Sequence, residues 1–170
     1  MEKVLNLVLR PQETGMWCWA ASGQMCMEFV GRRTIAQCLQ ANNRFGLIVC
    51  CTTPVPGVCV VGGWPEFSKY GFTFKRTSNR ALTWAELVAE IDANRPIAFS
   101  WHWPGGGGHM MVAYGYSDET GVQMVYVADP WAPDVGNTRI ITYSHFVSSP
   151  GHTHWDDFYE IVYPVRKVRP

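Results

Sequence analysis

In the stretch "QETGMWCWAAS", Gln12 precedes Cys18 by six residues, and Cys18 lies between Trp17 and Trp19 at the head of a run of small residues with good helix propensity. A cysteine acts as a nucleophile through its thiolate. Unpaired backbone N–H groups and the macrodipole at a helix N-terminus favour negative charge, so Cys18 sits where that effect would be largest. It still needs a base. The chain has five histidines, His102, His109, His145, His152 and His154. His109 follows four glycines and opens a strand-like run, and Asp129 closes the next such run. If the two runs pair as a hairpin around "DETG", Asp129 and His109 fall near the same end of a sheet. A carboxylate there could orient the imidazole and favour the imidazolium. Asp118 is the nearest other aspartate in sequence. Acyl transfer also needs donors for an oxyanion, which the Cys18 backbone N–H and the Gln12 side-chain amide could supply.

The elements that must carry these groups change period midway. Residues 17 to 30 suit a helix with Cys18, Ser22, Met25, Cys26 and Phe29 near one face and Gly31 as its stop. A second helix is expected from Thr34 to about Asn43, with Thr34 and Gln37 at capping-box spacing and Ile35, Cys38 and Leu39 inward. "WPEFSKYG" reads as a short helix closed by Gly71. In "LTWAELVAEIDANRP", Thr83 and Glu86 form a capping box, Trp84, Leu87, Val88 and Ile91 share a face, and Pro96 ends the helix. Then come strand-like runs, "PIAFSWHW", "HMMVAYGYS", "VQMVYVADPW", "TRIITYSHF" and "FYEIVYPV", which suit an antiparallel sheet. Helices first and sheet second make the class α+β. One domain over 1–170 is expected, with a helical lobe at about 1–95 and a sheet lobe at about 96–170.

Composition narrows the function classes. The 170 residues are 47% apolar and 16% charged, and Lys+Arg and Asp+Glu are both 14. Such a chain can bury a core, and it lacks the basic excess of a nucleic-acid binder. Arg166, Lys167 and Arg169 form the one basic cluster, read as a solvated tail. No apolar run reaches the roughly 18 residues of a membrane span. No signal peptide is visible at the N-terminus, so the expected location is the bacterial cytoplasm or a destination reached without such a signal.

Taken together, Gln12, Cys18-Trp19-Ala20, His109 and Asp129-Pro130-Trp131 resemble the papain-like cysteine peptidases. In those enzymes an Asn is followed two residues later by a Trp that covers the Asn–His contact, and Asp129 and Trp131 have the same offset. The chain is more similar to the short bacterial papain-like peptidases, which include effector proteases injected by plant pathogens and use Asp as third member. The similarity extends to the "CC…P…C" loop, "TWAELVAEIDANRPI", "GGHMMVAYGY" and "YVADPW", from about residue 11 to 163. One departure is the "PGGGG" before His109, which bears on the primed side of the cleft. The resemblance implies a papain-like fold with a cleft between lobes and a catalytic trio of Cys18, His109 and Asp129. It further implies an oxyanion hole of Gln12 and the Cys18 N–H, with Trp131 and Trp19 supporting the site. Trp17, Gly107 and Gly108 are candidate cleft residues. Neither cofactor nor metal is implied. The implied partner is a protein or peptide substrate, with no nucleic acid, no membrane and a monomeric chain, and a bacterial effector or toxin is the implied role.

Competing readings stay open. The same trio could serve a deamidase, a transglutaminase-like enzyme or a peptide ligase, and a non-catalytic binding domain could keep the fold. His102, between Trp101 and Trp103, reads as structural. "HTH" at 152–154 is a possible metal pair with no ligand spaced to complete it. Cys38, Cys50, Cys51 and Cys59 either include a disulfide or pack as thiols. The missing signal peptide tilts the expectation to thiols.

Overall fold

Alternation along the strands decides how this chain is layered. The computed structural model describes residues 1–164; Arg166, Lys167 and Arg169 lie outside the described residues. The sheet is antiparallel throughout. Its strands are β1 (Glu2–Val4), β2 (Thr73–Arg76), β3 (Ile97–His102), β4 (Gly108–Ser117), β5 (Met124–Asp129), β6 (Asn137–Thr142), β7 (Ser148–Ser149) and β8 (His152–Val162). The order is β2-β8-β3-β4-β5-β6, with β1 beside β4 and β7 beside β8. Side chains alternate across a pleated strand. Ala98, Met110, Val112 and Ala128 therefore enter one apolar cluster, while Ile97, Phe99, Met111, Ala113, Val125 and Val127 enter another on the opposite face.

Helices cover both faces. α1 (Cys18–Gly31) and α2 (Gln37–Phe45) contribute to the first cluster, α3 (Trp84–Asp92) and α4 (Tyr143–Val147) to the second. Both faces being apolar explains why β3 to β5 read as near-continuous hydrophobic runs. The result is a mixed helix and antiparallel-sheet architecture, consistent with a papain-like α+β fold. The division at residue 95 is not clean, because β1 and β2 come from the first half and join the sheet. Both are short, three and four residues, and too brief to leave a period in the sequence.

Local chemistry explains the other departures. α3 carries the capping box between Thr83 and Glu86, but ends at Asp92 because Asn94 turns left-handed before Pro96 is reached. α2 starts at Gln37 with Ala36 as its cap and no side-chain cap. Thr34 instead donates its hydroxyl to Glu28, and Leu39 points outward. In "TRIITYSHF" the strand stops at Thr142, whose hydroxyl caps α4 by accepting from the His145 N–H. The last strand begins ten residues further on, at His152, so "HTH" is its opening turn-to-strand segment. The "PGGGG" stretch closes the β3–β4 hairpin, with Gly106 and Gly107 at positive φ. At Gly108 an added Cβ would fall 2.2 Å from the Trp101 carbonyl oxygen, so no other residue fits there without moving backbone.

The expectation of free thiols in the cysteine loop is overturned. Cys38 pairs with Cys51 and Cys50 with Cys59. The segment between α2 and β2 has only short 3-10 turns of its own, at Gly57–Cys59 and Phe67–Tyr70. The two bridges supply the order that secondary structure does not. They leave Cys18 and Cys26 free. Thiol counting on denatured, unreduced protein should find those two thiols, and four more after reduction. Cross-links over loops this short contribute roughly 2–3 kcal/mol each. Replacing Cys50 and Cys59 by Ser should lower stability to urea by that order.

Candidate active site

Cys18 is the first residue of α1, and Trp17 before it offers no side-chain cap. The indole N–H groups on either side are used as staples. Trp17 Nε1 donates to the Cys59 carbonyl at 2.7 Å and Trp19 Nε1 to the Val61 carbonyl at 3.1 Å. These bonds tie the disulfide loop to the start of α1. Gly62, Gly63 and Trp64 then form one wall of a cleft of about 760 Å³ in which Cys18, His109 and Asp129 also sit. Gly107, Gly108, Trp101, Trp103, Trp131 and Trp155 line it as well.

Register accounts for the His–Asp pair. Val112 pairs with Ala128 and Ala113 with Val127, so residue 111 is carried opposite Asp129 and His109 lies one same-face step away. Such diagonal neighbours are within reach of long side chains. His109 Nε2 lies 2.6 Å from Asp129 Oδ1, the imidazole N–H donating. The Trp131 backbone N–H donates to the same oxygen at 3.0 Å. Arg139, which pairs with Val127, is a diagonal neighbour on the other side, and its guanidinium is 3.0 Å from Asp129 Oδ2. The other imidazole nitrogen is left on the side of the cleft shared with Cys18, which favours the protonated ring.

The electrostatics follow from these contacts. Burial opposes a charged His109, but the hydrogen bonds to Asp129 and Cys18 and their charges outweigh it, raising the imidazole to about 9. Burial would likewise push the Asp129 carboxyl up. His109, the Trp131 N–H and Arg139 together bring it below its usual value.

Gln12 is 1% exposed and is held by its backbone on one side and its neighbours on the other. Its N–H donates to the Pro130 carbonyl, and its carbonyl accepts from the Asp134 N–H, both at 3.0 Å. Gln37 accepts from the Glu13 N–H and donates to the Pro11 carbonyl, so the residue expected in a capping box clamps the Gln12 segment instead. The Gln12 side-chain amide donates to the Thr14 carbonyl at 2.7 Å, which occupies one of its two hydrogens.

A family model described as Papain-like cysteine protease AvrRpt2 matches residues 1–149. The chain belongs to this family. No individually curated protein matches it. The span matched by this papain-like cysteine protease family contains Gln12, Cys18, His109, Asp129 and Trp131.

One of the expected placements changes. Trp17 is not a cleft residue: its ring is fully buried in the core, where the bond to Cys59 holds it. Trp131 lines the cleft at 54% exposure, and its backbone N–H makes a bond to Asp129. Trp19 supports the cleft at one remove, through Val61 and the Arg44 guanidinium stacked 5.7 Å from its ring. His102 packs edge-to-face on Trp155. Asp118 is beyond the far end of β4, paired with the N-terminal amine. Among the described residues no group of three or more His, Cys, Asp or Glu could hold a metal ion, and no helix is long and apolar enough to cross a membrane. Sequence reasoning missed Arg139, whose part in the site depends on a β5–β6 register that no local pattern announces.

The His109 proton also bears on stability. Its folded value, about 9, lies above the ordinary 6.5, so the proton-linked stabilisation is fully present below about pH 6.5 and is lost as pH rises through about 9. Asp129→Ala removes the strongest favourable contact of that proton. The stability gap between wild type and Asp129→Ala, measured by urea unfolding, should therefore narrow between pH 6.5 and 9.

Proposed function

We propose that this chain is a cysteine protease that hydrolyses peptide bonds through Cys18, His109 and Asp129. The observation that carries the reading is that a free thiol at a helix start and a hydrogen-bonded His–Asp pair line one cleft. In the proposed mechanism Cys18 Sγ attacks the scissile carbonyl carbon. Gln12 and the Cys18 N–H donate to the oxygen as it becomes negative. The imidazolium gives its Cys18-facing proton to the leaving amine, and the C–N bond breaks to leave a thioester on Cys18. The imidazole then takes a proton from water, the hydroxide attacks the thioester, and the acid leaves as the thiolate–imidazolium pair is restored. Asp129 keeps the Nε2 proton throughout and fixes which nitrogen faces the sulfur.

The peptidase unit is read as one domain over 1–170. A bacterial effector or toxin role belongs to the same proposal and is supported by the family alone. Cys18→Ala should abolish hydrolysis and leave the melting temperature within a few degrees, since the thiol is only partly buried. Retention of more than a few per cent of wild-type turnover would sink the proposal. Gln12→Ala should lower kcat by about 10²- to 10³-fold with little change in KM. Mass spectrometry of peptide-library products separates the acceptors. Two fragments that together gain one water indicate hydrolysis, a gain of about one mass unit deamidation, and a joined product ligation.

A further inference from the structure

We propose that Arg139 is a positioning residue for this reaction, holding the Asp129 carboxylate in the orientation that faces His109 and balancing its charge. The inference rests on the Cys18–His109–Asp129 reading. The geometry is a strand-to-strand relay. Asp129 ends β5, His109 reaches its Oδ1 from β4, and Arg139 reaches its Oδ2 from β6. With Oδ1 also taking the Trp131 N–H, both oxygens are engaged and the plane of the carboxylate is set.

The rest of the arginine's surroundings favour this role over that of a surface cation. Its guanidinium lies 5.5 Å from the Trp101 ring, and Nη2, the nitrogen that faces Asp129, also donates to the Met111 sulfur at 3.1 Å, contacts that fix the side chain beside the carboxylate. Its Nε is buried with no partner. An arginine seeking only water would leave that N–H hydrated. An uncharged Asn at position 129 would need no counter-cation. A carboxylate that stays charged while His109 loses and regains protons does, because its partner is neutral for part of the cycle. The groups facing this cluster are Cys18 from α1, His109 from β4 and His152 from β8, the last stacked 3.7 Å from Trp101 and held down in its basicity first by burial and then by neighbouring charges that include Arg139. His145 and His154 flank His152 from α4 and β8.

The test compares Arg139→Gln, Arg139→Lys and the double variant Asp129→Asn with Arg139→Gln. The readouts are kcat/KM against pH on a cleavable peptide and the iodoacetamide alkylation rate of Cys18 against pH, which needs no substrate. Arg139→Gln removes the ion pair at Oδ2 and should lower kcat/KM about ten- to a hundredfold, the scale of about 1.5–3 kcal/mol of lost positioning. It also removes a cation near the imidazolium, so the alkaline limb of both profiles should move up by about half a pH unit or more. Arg139→Lys keeps the charge and should hold the limb at its wild-type place while recovering part of the rate. With Asn at 129 there is no carboxylate to hold, and Arg139→Gln should change kcat/KM less than about twofold, the size expected of a site with no shared interaction. An unmoved or lowered alkaline limb in Arg139→Gln, or an equal loss of rate in the Asp129→Asn background, overturns the proposal while leaving the trio standing. Full turnover by Cys18→Ala overturns the trio itself, and the role of Arg139 with it.

Discussion

The end of strand β5 is the constraint on which the site depends. Asp129 is the last residue of that strand and binds His109 from β4, Arg139 from β6 and the N–H of Trp131 from the following loop. The next carbonyl, that of Pro130, accepts the Gln12 N–H, and Asp134 closes the same loop onto the Gln12 carbonyl. One chain reversal therefore locates both the imidazole and the glutamine. A carboxylate so held is kept below its usual protonation range even though burial works against it. Its charge in turn keeps His109 protonated well above the range of a free imidazole. Shifting β5 by one residue against β4 would turn Asp129 to the opposite face and lose every one of these contacts.

The other half of the site hangs from the two indoles that flank Cys18. Neither needs to meet substrate to matter. Trp17 and Trp19 are both buried, and each spends its single N–H on a carbonyl of the disulfide loop. An indole buried without such a bond would leave an unpaired donor, at a cost of about 1–3 kcal/mol. The loop therefore satisfies the tryptophans, and the tryptophans hold the loop at the correct distance from the thiol. The bridges Cys38–Cys51 and Cys50–Cys59 tie the far side of that loop back to α2 and to itself. Bracing from both sides lets a segment with almost no regular structure form a cleft wall. α1 can then keep its first turn free of any side-chain cap, which leaves it open to the oxyanion role proposed for the Cys18 N–H.

How much of this was legible in the sequence follows from the range of each interaction. α1, α3 and the runs that became β3, β4 and β5 announce themselves through local periods of 3.6 or 2, and the Thr83–Glu86 cap is a three-residue signal. The His109–Asp129 contact was legible in part because a single hairpin joins the two strands, but its register was not, since a bulge between Ala113 and Gly115 shifts the pairing by one residue and so brings Asp129 to the face that carries His109. β1 and β2 were not, since three- or four-residue strands exist only by virtue of the partners they join. Gln37 shows the same limit from another side. Its spacing from Thr34 fits a capping box, but the Gln12 segment offers it a buried pair of backbone groups, and the tertiary bonds win. The disulfide pairing is set by three-dimensional proximity, which no local spacing encodes.

The chain holds a second buried His–Asp pair, and the contrast between the two explains why the proposed chemistry belongs to only one of them. His154 lies 2.8 Å from Asp157, and its other nitrogen lies 3.0 Å from the Phe146 carbonyl. Both ring nitrogens thus face acceptors, which favours the charged ring even against burial. Asp157 is occupied too, accepting the Leu82 N–H at 2.6 Å at the entrance to α3. This pair joins β8 to α4 and to the segment before α3, and no nitrogen is left to exchange a proton. At His109 one nitrogen is committed to Asp129, and the other faces a free thiol at the edge of a solvent-filled cleft. Under the proposed mechanism the chemical competence of His109 comes from that unspent nitrogen. A His–Asp hydrogen bond of similar length is a structural tie in one place and, under the proposed mechanism, orients a proton-exchanging ring in the other, according to whether the protein has left one side of the ring unsatisfied.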